Sequence, residues 1–321
     1  MKKKWLLIAS VLILLGIGIY VLLDPSAPKQ VLVNGTNVNA VSYSDADFEK
    51  ELAERYPDLA GRLLPEGEQS SYVIPGLEQS QAIVHSGSQA GQLGLATDMD
   101  PQGMAIIEDK YVAISGYSKS KTYNSVIWLL DKDAQVEALD LTTIEAYDIN
   151  RDQKAIAFDY SMDLYGVKLA SYLTYHQGQL YVGYFHQTSK GVLAVYPVAT
   201  DGTIASNLNT NGEAEPSQTW VTAEKIQGIS FYGDKILLSQ SYGSKDSVLY
   251  IFDNRLSDPK FDLGTDDAIA SLPLPPYLEQ IIGYQDQVFL LFESASHKYR
   301  QNPLLFHMDR IIKISIADLI P

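Results

Sequence analysis

One pattern constrains this chain more than any other. Gln102-Gly103, five residues, Asp109-Lys110, six residues and Tyr117 recur as Gln227-Gly228, five residues, Asp234-Lys235, six residues and Tyr242. Further on, Ser125-Val-Ile-Trp-Leu-Leu-Asp131 is answered position for position by Ser247-Val-Leu-Tyr-Ile-Phe-Asp253. Two looser copies keep the frame: Tyr172 with Gly178-Gln179 and His186, and Gln280 with Asp286-Gln287 and Ser294. Each copy reads strand, Gly/Asp turn, strand, polar loop, strand. The copies start at 103, 172, 228 and 280. Units of three to four antiparallel strands recurring at roughly 40 to 50 residues are the blades of a β-propeller. The sequence therefore predicts an all-β propeller over residues 72–321. It has five or six blades, depending on how residues 72–86 join the closing one. The longer first interval leaves room for an additional strand pair around residues 155–160. A sandwich also uses short strands, but nothing in it requires the same strand-turn-strand chemistry in register.

The segment before the repeats supplies an address. Lys2, Lys3 and Lys4 precede a run from Trp5 to Leu23 in which Ser10 is the only polar side chain. About 20 apolar helical residues span a bilayer core, and lysines on one flank set the orientation. The expectation is a cytoplasmic tail over 1–4, a single-pass signal-anchor helix over 5–23 and everything after it outside the cytoplasm. A signal peptide cut near Ala27 is the alternative. Residues 24–30 read as a stiff Pro-containing linker. Residues 31–71 read as an α/β adaptor. Val31 to Thr36 enters an Asn-Gly hairpin turn. Ser44 caps a helix that carries Phe48, Leu52 and Tyr56 on one face until Pro57 closes it.

Charge and composition then remove whole classes of function. Twenty-four basic against 39 acidic residues give a formal charge of −15, with no cationic cluster beyond the first four residues, so a grip on nucleic-acid phosphate is not expected. The absence of cysteine removes disulfides, thiolate metal sites and Cys nucleophiles. His85, His176, His186, His297 and His307 show no metal-ligand spacing, and no nucleophile elbow or phosphate-binding glycine loop is present.

What remains is a set of polar residues that the repeat places at one channel mouth. Gln102, Gln227 and Glu279 begin innermost strands, with Tyr117, Tyr242, Glu293 and Ser294 on strands or loops that follow. They form either a polar ligand site or a set of recurrent structural contacts between blades. Glu293, in the loop Phe292-Glu-Ser-Ala-Ser-His-Lys-Tyr-Arg300, is the strongest single functional candidate. Asp98, Asp100, Asn254, Glu279 and Glu293 could supply oxygen ligands to Ca²⁺, but no contiguous calcium loop exists and no cofactor is predicted.

Ile74-Pro-Gly-Leu77, Pro101-Gln-Gly103, Ile114-Ser-Gly-Tyr117, Leu238 to Gly243 and Pro275-Pro276 through Phe292-Glu-Ser-Ala295 together make the chain resemble a family of exported bacterial β-propeller proteins, secreted or membrane-anchored. More distantly it is similar to propellers of the gluconolactonase and glutaminyl cyclase types. The resemblance implies the fold and an extracytoplasmic place. It implies no activity, because function lies in sites grafted on folds. The expected role is a binding or scaffold module at the bacterial cell envelope, with an envelope protein or a small ligand as partner. The alternative is a channel-site enzyme of the lactonase or cyclase kind, with Ca²⁺ as a possible requirement, and a third is a structural subunit of a membrane complex.

Overall fold

Short runs of residues buried on both faces, as over 228–231 and 236–239, bounded by tight turns, are what set the inner and middle strands. A computed structural model describes residues 29–33, 36–40, 45–62, 99–108, 110–118, 124–131, 160–284, 287–292, 294, 308 and 312–320. The chain divides into two units, 1–44 and 45–321. In the first, β1 (Lys29–Val33) pairs antiparallel with β2 (Thr36–Ala40), Val33 facing Thr36 across the expected turn position. Asn34 and Gly35 themselves lie outside the described residues. So do residues 5–23. Among the described residues no helix is long and apolar enough to cross a membrane.

The second unit contains an all-β propeller, with four blades among the described residues. Blade I is β3 (Met99–Ile107), β4 (Tyr111–Ser118), β5 (Asn124–Asp131) and β6 (Tyr160–Lys168). Blade II is β7 (Ala170–His176), β8 (Gln179–Tyr184), β9 (Gly191–Pro197) and β10 (Gln218–Thr222). Blade III is β11 (Ile226–Tyr232), β12 (Lys235–Gln240), β13 (Ser247–Asp253) and β14 (Ala270–Leu274). Blade IV contains β15 (Leu278–Tyr284), β16 (Gln287–Phe292) and β17 (Ile312–Ser315). Every pairing within a blade is antiparallel. The inner strands lie side by side, β3 against β7, β7 against β11 and β11 against β15. Two apolar layers fill the seams. Ile107, Ile127, Leu173 and Tyr196 belong to the layer between blades I and II, and Tyr172, Trp220, Ile229 and Phe252 to that between II and III.

The repeated Gly is explained by a close approach. A Cβ on Gly228 would stand 2.6 Å from the Glu279 carbonyl oxygen of blade IV and 2.8 Å from Ser239 Oγ. One on Gly103 would stand 2.9 Å from Tyr172 Cα of blade II and 2.9 Å from Ser115 Oγ. Thus each Gly lets the next inner strand press onto its own, and pairs with a buried Ser across its own hairpin, Gly103 with Ser115 and Gly228 with Ser239. Blade II inverts the pair. Tyr172 takes the Gly position and Gly183 the Ser position, and the Tyr172 ring fills the space above Gly183 so closely that a Cβ there would fall 1.8 Å from Tyr172 Cζ. Trp128 and Tyr250 are equivalent as well, facing Ile114 and Leu238 across the same ladder.

Blades are stitched as well as packed. Ser125 Oγ accepts from the Ala170 N–H at 2.9 Å, and its counterpart Ser247 accepts from the Leu278 N–H at 3.1 Å. In both cases a third-strand hydroxyl satisfies the first donor of the next inner strand. Outer edges, which attract unwanted strand pairing when bare, are covered from the following blade. Ala214 bridges to Leu164 of β6, and Leu263 bridges to Thr222 of β10, both in parallel.

Helix α1 (Asp45–Arg55) belongs to this second unit. Phe48 and Leu52 are fully buried on one face, as its spacing predicts, and Leu59 joins them from a short 3-10 turn, Pro57–Leu59. Tyr56 donates to Asp246 at 2.7 Å. The Arg62 carbonyl accepts from the Lys313 N–H at 2.9 Å while its guanidinium holds Asp318 at 2.8 Å. Residues 56–62 therefore form a strap from blade III to β17.

Candidate functional site

Among the described residues three inner strands, β7, β11 and β15, begin in the same unusual way. Leu169, Lys225 and Tyr277 each precede an inner strand, at φ of 54°, 63° and 65°. None is Gly, Asn or Asp, the residues that tolerate this region, so each conformation costs on the order of 1 to 3 kcal/mol and persists because its surroundings fix it. Two residues later the register slips. The slips fall between Pro101 and Gly103, Ala170 and Tyr172, Ile226 and Gly228, and Leu278 and Gln280. The residues left over are Gln102, Ser171, Gln227 and Glu279, so the three predicted channel-mouth residues are β-bulge residues at equivalent places.

The geometry shows what the bulge does. Ser171 Oγ donates to the Leu169 carbonyl at 2.6 Å and accepts from the Phe185 N–H at 3.2 Å, closing its own bulge. The Glu279 carbonyl accepts from Ser239 Oγ at 3.4 Å, joining blades III and IV, and the residue is only 5% exposed. Ser294 is fully buried and accepts from the Met308 N–H at 2.8 Å. Its hydroxyl serves the backbone.

Tyr117 and Tyr242 are not counterparts. Blades II, III and IV share one frame, but the turn after β3 holds one more residue than the two-residue turn Gln177-Gly178, so Ser115 matches Ser239 and Tyr117 matches Ser241. Tyr117 lies within β4 opposite Ser125. Tyr242 follows β12, 45% exposed, with its ring 5.8 Å from that of Phe185. Its true counterpart in blade II is His186, whose Nδ1 accepts from the Thr188 and Ser189 N–H groups at 3.3 and 3.1 Å. Glu293 and Asp98 lie outside the described residues. Among the described residues no cluster of three His, Asp or Glu could hold a metal ion.

The cavity lies further along the same strands. About 540 Å³ is lined by the later parts of β3, β7, β11 and β15. Its polar groups are neutral: Thr174, Tyr175, Ser230, Tyr232 and Gln280, with His176 among them. The His176 ring lies flat on Phe231, centroids 4.3 Å apart and planes within 5°. Burial pushes the imidazole below its ordinary value of 6.5, so it is neutral at pH 7 and can accept a hydrogen bond. Ser230 Oγ accepts from the Gly283 N–H at 2.9 Å. The Tyr175 hydroxyl donates to the Glu108 carboxylate across blades I and II, and burial first, that carboxylate second, pushes it up to about 12. Tyr175 is a donor at neutral pH.

Sequence reasoning looked at strand starts and missed these strand ends. A signal was present: positions two to four after Tyr172 and Gly228 carry Thr174-Tyr175-His176 and Ser230-Phe231-Tyr232, where blade I has Ala105-Ile106-Ile107 after Gly103.

No protein-family model matches the chain. No curated protein matches it either. Solved structures share its general form at low similarity. Glutaminyl cyclase of Myxococcus xanthus is 8% identical with a TM-score of 0.37, over 68% of this chain and 72% of its own. A Thermus thermophilus protein assigned as a glucose dehydrogenase is 9% identical with a TM-score of 0.36, over 75% and 98%. The WD40 domain of Toxoplasma gondii coronin is 11% identical with a TM-score of 0.33, over 70% and 48%. The fold rests on the blades themselves, and likeness at this level assigns no chemistry.

Proposed function

We propose that the chain is an extracytoplasmic binding or scaffold module of the bacterial cell envelope, anchored by a helix over residues 5–23, whose channel receives a small ligand. The single observation that carries the binding role is the lining of the cavity: neutral donors and acceptors and an uncharged imidazole on an aromatic shelf, from adjacent blades. Such convergence of a few polar groups in a largely preformed hollow is how ligand sites are built. The anchoring is supported by the lysine-flanked apolar run. A ring of five or six blades goes with it. Successive inner strands pack closely from β3 to β15, while among the described residues β15 and β3 do not pack on each other to the same degree.

Filling the hollow tests the binding role. A thermal-shift screen of the full chain against small molecules should yield compounds that raise the melting temperature. Ala105→Trp, at a lining position of β3 that also packs on the layer between blades I and II, should lose those shifts in protein whose cooperative unfolding shows that it is folded; shifts that survive the substitution would place binding elsewhere. Location is tested separately. Protease added to intact cells should destroy a C-terminal tag, and full protection of the tag would overturn the orientation.

A further inference from the structure

Outside the channel, the loop between β9 and β10 carries a clip, residues 208–214, that covers the free edge of β6 in blade I. The Ala214 N–H donates to the Asp163 carbonyl at 2.8 Å, and the Tyr165 N–H donates to the Ala214 carbonyl at 2.9 Å. A tight turn closes the clip. The Asn209 N–H donates to the Glu213 carbonyl at 2.9 Å and the Gly212 N–H to the Asn209 carbonyl at 3.0 Å, with Gly212 at φ 78°. The two asparagines of this turn are held differently. Asn209 is fixed at both ends of its amide: Oδ1 accepts from the Asn211 and Glu213 N–H groups at 2.9 and 3.0 Å, and Nδ2 donates to the Glu213 carboxylate at 2.7 Å. Asn211 is exposed, and its side-chain amide has no hydrogen-bond partner among the described residues. The next residue, Gly212, is exposed too, and even a Cβ there would meet nothing within 4 Å.

The carbonyl carbon of an asparagine side chain lies within reach of the following backbone nitrogen. A bulky following residue or a pinned amide keeps the two from reacting. Asn209 has both protections, since Thr210 after it is β-branched. Asn211 has neither. The Gly212 N–H must first leave the Asn209 carbonyl, and exposed turns open locally at small free-energy cost. Independently of the channel, we propose that Asn211 is a site of spontaneous deamidation, and that its isoaspartate product releases the clip from β6. The Gly212 nitrogen gives its proton to water and bonds to Asn211 Cγ. The Cγ–Nδ2 bond breaks, and the amide nitrogen leaves as ammonia with a proton from solvent. Water then opens the five-membered imide. Opening at the Asn211 main-chain carbonyl leaves the chain running through Cγ, one carbon longer, with a free carboxylate; nothing is oxidised or reduced. A turn closed by a bond from residue 212 to residue 209 loses its register when a carbon is inserted between 211 and 212. The Ala214 bonds to β6 then lose their anchor, and a strand edge is bared.

The test ages the full-chain protein in warm, mildly alkaline buffer, with peptide mapping that resolves isoaspartate and reads Asn211 apart from Asn34, the other Asn-Gly of the chain. Asn211 should convert about tenfold faster than Asn209, equivalent to a barrier lower by about 1.4 kcal/mol. Hydrogen exchange at the Tyr165 and Ala214 amides should quicken several-fold in step with conversion, while the β12 amides keep their protection. Two variants isolate the cause. Freshly prepared Asn211→Asp carries the new charge without the extra carbon and should exchange like the unmodified protein. Asn211→Gln, aged alongside, should keep both amides protected. Absence of conversion at Asn211, or equal conversion at Asn209, overturns the site. Unchanged exchange after conversion, or quickened exchange in fresh Asn211→Asp or aged Asn211→Gln, overturns the release of the clip by chain lengthening.

Discussion

Gly183→Ala should be among the most damaging single-methyl additions in this protein. The new Cβ would sit 1.8 Å from Cζ and 2.3 Å from the hydroxyl oxygen of Tyr172, a ring that is 1% exposed in the layer between blades II and III. A flexible side chain could swing away; a packed aromatic ring has no free volume to enter. Overpacking costs about 1 to 3 kcal/mol in ordinary cores, and this overlap belongs at the upper end, near 3 kcal/mol. That corresponds to a fall of roughly 10 °C in melting temperature for a domain of this size. Gly178→Ala is the control, since a Cβ there meets nothing within 4 Å, although its φ of 73° still carries a smaller conformational penalty. Denaturant unfolding of the two variants measures the difference. Equal losses would mean that the Tyr172 and Gly183 fit does not hold blade II together.

Trp128→Ala should cost about 4 kcal/mol, the range for emptying a fully buried aromatic site. The equivalent change in blade III, Tyr250→Ala, should cost about 1 kcal/mol. Tyr250 is only half-buried, and its hydroxyl makes a 3.2 Å bond to Gln240 Oε1 that water can replace. The contrast matters because the two residues hold the same ladder position. Chemical denaturation of both variants reads it directly, and similar losses would show that ladder position outweighs burial in setting the energetics.

The parts of this fold that were legible in the sequence are those where a backbone demand recurs. Gly103 and Gly228 had to be glycine because the next strand presses on them, and Ser125 and Ser247 had to be hydroxyl because a backbone donor lacks a partner. Demands of that kind write themselves repeatedly into a chain. Tyr117 and Tyr242 shared a spacing for another reason. With 21 tyrosines in the chain a coincidence was available, and one extra residue in the first turn moved the true match by one position. The Tyr172 and Gly183 pair was hidden because it moves the glycine to the facing strand and changes both positions at once. Gln102, Gln227 and Glu279 were placed correctly at the starts of inner strands, yet spacing alone carries no sign of a β-bulge. The cavity groups were least legible of all, since His176 and Ser230 meet Phe231 and Gly283 on adjacent inner strands, and nothing in a linear sequence marks that adjacency.

The strap has a consequence for how the protein is made. Tyr56 meets Asp246 across 190 residues of chain, and Arg62 meets Asp318 across 256. Synthesis runs from the N-terminus, so α1 and the strap emerge long before β13 and β17 exist to receive them. Until β13 and β17 are made, the Tyr56 hydroxyl and the Arg62 guanidinium lack the carboxylates they meet in the folded protein, and the blades between must assemble with the strap undocked. Closing so long a loop is entropically slow but costs little more than closing one half its length. Docking of the strap is therefore a late event in maturation.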